Sequence, residues 1–316
     1  APVERVKHYE KGLVLKETDA KSALKELWEF AEHTLKWQQI PVCEKKILFV
    51  GEEISFASRY RVEHFREQLH YQGYGSDFYQ VDEVEDLDWD AYRAVVCYRC
   101  SREDVVRKVV EQAKKNGLNV YYDIDDLIFD YERISYLHFL TGSEYKDFKK
   151  TTEQIHSCME LCDGYFTSTD TLAGEIRREF PGKPVVINRN CASMEMQILS
   201  HDAVEQVEKD PEHIFIGYFS GSKTHDQDFE VAEEALLEVM KEHPEVRLKL
   251  VGVLSDRKME KFGNKVEKLP FMDWKQLPSV MAGIDINLMP LEDSIFHCSK
   301  SENLSLIHIS EPTRRS

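Results

Sequence analysis

Residues 214–229 read IFIGYFSGSKTHDQDF: an apolar run, a turn of small residues, and the polar start of a helix. The helix expected over Asp228–Lys241 carries Phe229, Ala232, Ala235, Leu236 and Val239 on one face, the 3.6-residue period of an amphipathic helix. Strand, turn and helix in that order form half of a βαβ unit. The stretch decides the fold because it is a restart. The same grammar already runs through the preceding 150 or so residues, so the chain holds two βα domains in series.

Upstream, KKILFVG (45–51) opens the first series. A helix near Arg59–Gln72, a short strand near Asp77–Val81 and the strand RAVVCY (93–98) follow. A helix over Arg102–Asn116 is closed by Gly117, and NVYYDID (119–125) is the fourth strand. The long helix Glu144–Cys162, then GYFTST (164–169) and PVVIN (184–188), complete the set. Apolar strands alternating with polar-faced helices give a parallel sheet covered on both faces. Residues 44–190 therefore read as one Rossmann-like domain, and 191–211 as a polar, weakly helical connector. In 212–303 the strands EHIFIGYF, VRLKLVG, VEKLPF and IDINLMP build a second domain. Ligands of such sheets sit at the carboxyl ends of the strands, so two of them imply an intervening cleft. Ahead of both, Leu24, Leu27, Trp28, Ala31 and Leu35 form one face of a helix within a 1–43 extension, with Asp19 as its cap.

Composition narrows the function. With 41 Lys+Arg against 58 Asp+Glu, the net charge is −17, opposite to the basic stripe that a nucleic-acid binder needs. No apolar run is long enough to span a bilayer. The first residues, APVERVKHYEKG, contain neither Met nor an apolar core, so the reading is of a fragment without a signal peptide. Seven scattered cysteines fit a reducing cytoplasm. Cys97-x-x-Cys100 with Cys158 and Cys162 could in principle make a zinc site. Their placement in an apolar strand and on an amphipathic helix instead reads as packing.

Two motifs carry chemistry. Between its strand and helix, Ser220-Gly221-Ser222 lets backbone N–H groups approach a ligand closely, with Lys223 and His225 beside them. A small-residue turn before a helix start suits a diphosphate, although it is neither GxGxxG nor a P-loop. Asp226 and Asp228 are assigned to the helix dipole. The other motif is YYDIDDLIFD (121–130), where Asp123, Asp125 and Asp126 cluster at a strand end and Asp130 reads as a loop residue. Asp123-Ile-Asp125 resembles the nucleophile loop of haloacid dehalogenase phosphatases. Against that stand Leu127 in place of Thr or Val, the motif's position in the fourth strand, and the lack of a later acidic pair, since IDINLMP supplies only Asp285.

Taken in order, ILFVGEE, SRYRVEHFREQL, VYYDIDDLIFD, FTSTDTLAGEI, VVINRN, GYFSGSKTHDQDF, LKLVG, KLPFMDWKQLPSVMAGIDINLMPLED and FHCSKSEN resemble the GT-B glycosyltransferases, in the large bacterial nucleotide-sugar-dependent group. The resemblance covers about 44–303 and implies an α/β fold of two Rossmann-like domains facing a cleft. By that resemblance Ser220, Gly221, Ser222, Lys223 and His225 lie near the donor diphosphate. Gly252 lies near the nucleoside, and Lys300, Ser301 and Glu302 begin a donor-binding helix. Gly51, Glu52, Arg59 and Arg61 would face an anionic or hydroxylated acceptor, a glycan or a lipid-linked one. Asp123, Asp125 and Asp126 would hold sugar hydroxyls or act as base. The nucleotide sugar is then a substrate, with no cofactor or metal required. Work at the inner face of the membrane, in cell-surface polysaccharide synthesis, is the expected setting.

In that family a glutamate stands seven residues after the lysine, where this chain has Ile307. Residues 304–314, LSLIHISEPTR, resemble one reading frame of a transposase-derived sequencing adapter. The reading therefore takes 304–316 as non-native and the second domain as incomplete. A non-catalytic sugar-binding module of a larger glycan-assembly protein is the alternative from a different class.

Overall fold

The computed structural model describes residues 43–52, 56–134, 143–221, 226–254 and 260–301. The expected N-terminal helix, Ser222, Lys223, His225, Glu302 and Ile307 lie outside them.

The first sheet has six strands in the order β2-β1-β3-β4-β5-β6, every pair parallel. Its strands are β1 (Cys43–Gly51), β2 (Tyr74–Gln80), β3 (Tyr92–Tyr98), β4 (Asn119–Asp123), β5 (Gly164–Thr167) and β6 (Val185–Ile187). Alternation explains their two buried faces. Leu48, Val50, Val95, Cys97, Val120 and Tyr122 face one core with helices α2 (Glu103–Lys115) and α4 (Ser143–Leu161). Phe49, Val96 and Tyr98 face the other, with Val62 and Phe65. Those last two lie on α1, which spans 56–71 as an α-turn, a π-helical turn over Arg59–Glu63 and an α-helix over His64–Tyr71. Because β2 follows β1 on one side and β3 lies on the other, the strand order reverses between β1 and β3. The crevice at their carboxyl ends is the binding position for such sheets. Gly51 and Tyr98 are register partners there.

The short helix α3 (Tyr131–Ile134) follows the aspartate loop, and α5 (Asp170–Glu179) links β5 to β6. The connector differs from its expected weakly helical form. It contains a 13-residue helix, α6 (Met194–Gln206), capped by the Ser193 hydroxyl accepting from Met196 N. Only Met196, Ser200 and Ala203 of α6 are buried, so small residues blur its apolar stripe.

The second sheet orders its strands β10-β7-β8-β9, again all parallel: β7 (Ile214–Ser220), β8 (Val246–Gly252), β9 (Val266–Leu269) and β10 (Ile286–Leu288). Helix α7 (Asp226–Glu242) buries Phe229, Leu236 and Met240 against Ile216, Tyr218, Leu248 and Leu250. Helix α8 (Leu277–Ala282) joins a separate cluster with Phe219, Val251, Met196 of α6 and Tyr60 of α1. The order reverses between β7 and β10. After β10 the chain crosses back: α9 (Ile295–Cys298) places Phe296 in the core of the first sheet. The Thr169 hydroxyl at the start of α5 donates to Ser299 O at 2.9 Å.

All seven cysteines are free thiols. Cys97, Cys100, Cys158 and Cys162 are buried in one core, and burial pushes the Cys158 thiol up to about 12. Among the described residues only Asp228, Glu292 and His297 bring three potential ligand atoms within 4.8 Å of one another.

Candidate functional site

Strand β4 ends at Asp123, whose side chain points to the α1 face of the sheet. Arg61, in the π-helical turn of α1, meets it there: Nε donates to Oδ1 and Nη2 to Oδ2, both at 2.8 Å. Both side chains are essentially inaccessible, at 1% and 0% exposure. Arg61 Nη1 also donates to Asn188 O and, at 2.9 Å, to Asn190 Oδ1. The Asn190 amide in turn donates to Ser301 Oγ at 2.7 Å. One guanidinium thus fastens the aspartate strand to the segment between β6 and α6, and through Asn190 to residues beyond α9. Burial pushes the Asp123 carboxyl up from its ordinary value, and the Arg61 guanidinium opposes that push.

Asp125 and Asp126 are gripped by a second arginine, Arg99, in the turn after β3. Its Nε donates to Asp125 Oδ1 at 2.7 Å, and its Nη2 donates to Asp126 Oδ2. Asp125 is buried, and burial raises its carboxyl against the pull of Arg99. Arg99 and Asp126 remain partly open, at 25% and 27% exposure. Arg99 also holds the single positive φ of a non-glycine residue among those described, 47°. Its backbone N–H donates to Asp123 O at 3.2 Å.

These contacts redefine several expected ligands. Arg61 is sealed into an ion pair and cannot reach an acceptor. Asp123 has both oxygens held and no open face, so it has no line of attack on phosphorus; this removes the phosphatase nucleophile. Glu52 is a helix cap: Oε1 accepts from Ser101 N and, at 2.7 Å, from Arg102 N, while Oε2 accepts from Ser101 Oγ at 3.0 Å. Ser101 and Arg102 lead into α2, and a carboxylate at that end satisfies their donors with favourable charge. Gly51 is buried, and a Cβ there would meet the Phe78 ring at 3.1 Å. Arg59 faces elsewhere. Its guanidinium stacks on Trp274 of the second domain, 3.7 Å from the ring centroid. It also lines a groove of about 650 Å³ with His64, Arg66 and Glu195.

At the second sheet, Ser220 and Gly252 end neighbouring strands in register. Ser220 Oγ donates to Val253 O at 2.7 Å. Gly252 adopts φ +99°, and a Cβ there would fall 2.0 Å from Ser220 O, so this crossing requires glycine. Gly221 is exposed with open space where a Cβ would be, which leaves its backbone approachable. Lys300 is half-buried, its Nζ 4.9 Å from the Phe296 ring centroid, and Ser301 receives the Asn190 bond. Asp228 is more than a dipole partner. It is buried, accepts from Glu292 N at 3.1 Å and pairs with His297 Nε2 at 3.1 Å. It thereby ties the start of α7 to the segment after β10. The Asp226 side chain lies outside the described residues.

Arg99 was not among the residues singled out from sequence. The signal available was its place in the strand-to-helix turn beside the reversal of strand order, which only the topology exposes.

No family model matches the chain, and no curated protein does. Solved structures do. Sucrose-phosphate synthase from Thermosynechococcus elongatus aligns over 79% of this chain and 77% of its own, at 12% identity and a TM-score of 0.50. HepE from Anabaena, solved with UDP and glucose, aligns over 77% and 73% at 12% identity and 0.46. TarM from S. aureus, solved with fondaparinux, α-GlcNAc-glycerol and UDP, aligns over 66% of this chain at 13% identity and 0.43; the chain spans 38% of TarM's length. The likeness to sucrose-phosphate synthase fixes the fold class: two Rossmann-like α/β domains arranged as in GT-B proteins.

Proposed function

We propose that this chain is a glycosyltransferase that moves a sugar from a nucleotide-diphosphate donor to a glycan or lipid-linked acceptor. The observation that carries the reading is the small-residue strand end Ser220–Gly221, exposed at Gly221 and crossed by Gly252, beside the strand-order reversal of the second sheet. The crevice at such a reversal is where doubly wound sheets take nucleotides. A turn of approachable backbone ahead of a helix favours a diphosphate. Ser220, Gly221, Ser222, Lys223, His225 and Gly252 are the proposed donor contacts, with Lys300, Ser301 and Glu302 beside them. Transfer follows from charge placement: the nucleoside diphosphate leaves toward Lys223 and the backbone amides, which stabilise its growing charge. The acceptor hydroxyl approaches from the first sheet, where Asp126 is the open member of the aspartate group. Asp123, Asp125 and Arg61 position that edge. The proposed setting is the cytoplasm, at the membrane face, in cell-surface polysaccharide synthesis.

The locked state of Asp123 and Asp125 favours one second reading, a sugar-binding module without turnover. Melting of the full chain with UDP, GDP, dTDP and ADP tests the first claim. A ligand at a hundred times its Kd adds about 2.7 kcal/mol of stability, so the matching nucleotide raises Tm by several degrees. No shift with any of the four at millimolar concentration would sink donor binding. A shift without release of nucleoside diphosphate from the corresponding sugar donors would favour the module.

A further inference from the structure

The turn after β3 carries an unfavourable backbone conformation and an unfinished set of hydrogen bonds at the same residue. Left-handed φ suits Gly, Asn or Asp and is costly for a long side chain. Arg99 nevertheless holds φ 47°, kept there by its bonds to Asp125 and Asp126. Strain of this kind marks places where geometry is over-determined for a purpose. Among the described residues Arg99 Nη1 and Asp126 Oδ1 make no hydrogen bond, and the two side chains are 25% and 27% exposed. A charge-assisted donor and a charge-assisted acceptor therefore belong to one Arg99–Asp126 bridge. The bridge lies at the carboxyl ends of β3 and β4, beside the reversal of strand order.

Charge decides what fits. The two linked arginines, Arg61 and Arg99, face three carboxylates, Asp123, Asp125 and Asp126, so the cluster keeps one net negative charge. A phosphate or carboxylate brought to Arg99 would also meet Asp125 and Asp126 and be repelled. A neutral hydroxyl pair meets no such opposition: one oxygen accepts from Nη1 while its neighbour donates to Oδ1. Resting on the transferase reading above, we infer that Arg99 and Asp126 form a clamp for a vicinal diol of a neutral acceptor sugar. The clamp selects against acceptors that are anionic at that position. The sequence expectation placed an anionic or hydroxylated acceptor at Arg59 and Arg61; the clamp takes the hydroxylated one, at Arg99 instead.

The test uses the full chain on an immobilised array of neutral oligosaccharides and the same scaffolds bearing uronate or phosphate. Arg99→Asn is the informative variant, because Asn tolerates the left-handed backbone while removing the guanidinium. Asp126→Asn is its companion, keeping size and removing charge. Unaltered protein is expected to bind neutral glycans over their anionic counterparts, and each variant to bind them about ten- to a hundredfold more weakly, the loss of a charge-assisted hydrogen bond. Nucleoside diphosphate binding, measured in parallel, is expected to be unchanged in both variants and certifies that they fold. Preference for anionic glycans, unaltered binding in both variants, or binding to no glycan while nucleotide binding persists would each overturn the clamp. Loss of nucleotide binding by the unaltered chain would instead remove the transferase reading and the clamp with it.

Discussion

The Arg61–Asp123 pair allows a prediction whose sign depends on which partner is removed and whether both are. The two side chains are at 1% and 0% exposure and share two 2.8 Å bonds. Arg61→Met leaves a buried carboxylate with its guanidinium gone, and Asp123→Leu leaves a buried cation. Breaking such a pair from one side costs about 3–5 kcal/mol, whereas replacing both partners by apolar side chains is often near neutral. The double variant still loses the Arg61 bonds to Asn188 O and Asn190, at about 1 kcal/mol each. It is therefore expected to lie about 2 kcal/mol below the unaltered chain, less destabilised than either single variant. Urea unfolding of all four proteins, followed by far-ultraviolet circular dichroism, gives the cycle. Strictly additive losses would refute the reasoning, since they would mean that neither partner depends on the other.

Three further outcomes follow from local geometry. Glu52→Ala removes the carboxylate over Ser101 and Arg102 and should cost about 0.5–2 kcal/mol, the range for a lost helix cap, read from the urea midpoint. His64 is buried, donates through Nδ1 to Cys191 O at 2.7 Å, and burial lowers its pKa from the ordinary 6.5. The unfolded chain then takes a proton first as pH falls below about 6.5, so stability is complete above that value and declines beneath it. His64→Gln should flatten that decline in a Tm-against-pH series. Gly252→Ala forces a Cβ to 2.0 Å from Ser220 O at φ +99°. It should cost about 3 kcal/mol or more, measured by thermal unfolding.

The alternating strands and helices were legible because burial on both faces of a parallel sheet writes long apolar runs into the chain. The strands β1, β3, β4, β7 and β8 lie where the sequence puts them, within a residue or two at each end for most. The connector helix was not, since its buried positions Met196, Ser200 and Ala203 carry little apolar weight. The aspartates show a different limit. A carboxylate at a strand end can be a ligand, a base or an ion-pair partner, and the choice here rests on Arg61, 62 positions away. Glu52 likewise becomes a cap only through Ser101, 49 positions on. Arg99 is a lone arginine in a turn, with nothing in its neighbours to announce a positive φ. The return of Phe296 to the first core follows no periodic pattern at all.

The central claim is that the second domain holds a nucleoside diphosphate at its strand ends, and a crystal structure of the chain with the nucleotide that best raises its Tm tests it most directly. The diphosphate is expected against the Ser220–Gly221 turn and the nucleoside beside Gly252. Nucleotide seated instead among Asp123, Asp125 and Asp126, or in the groove beside Arg59 and His64, would contradict it.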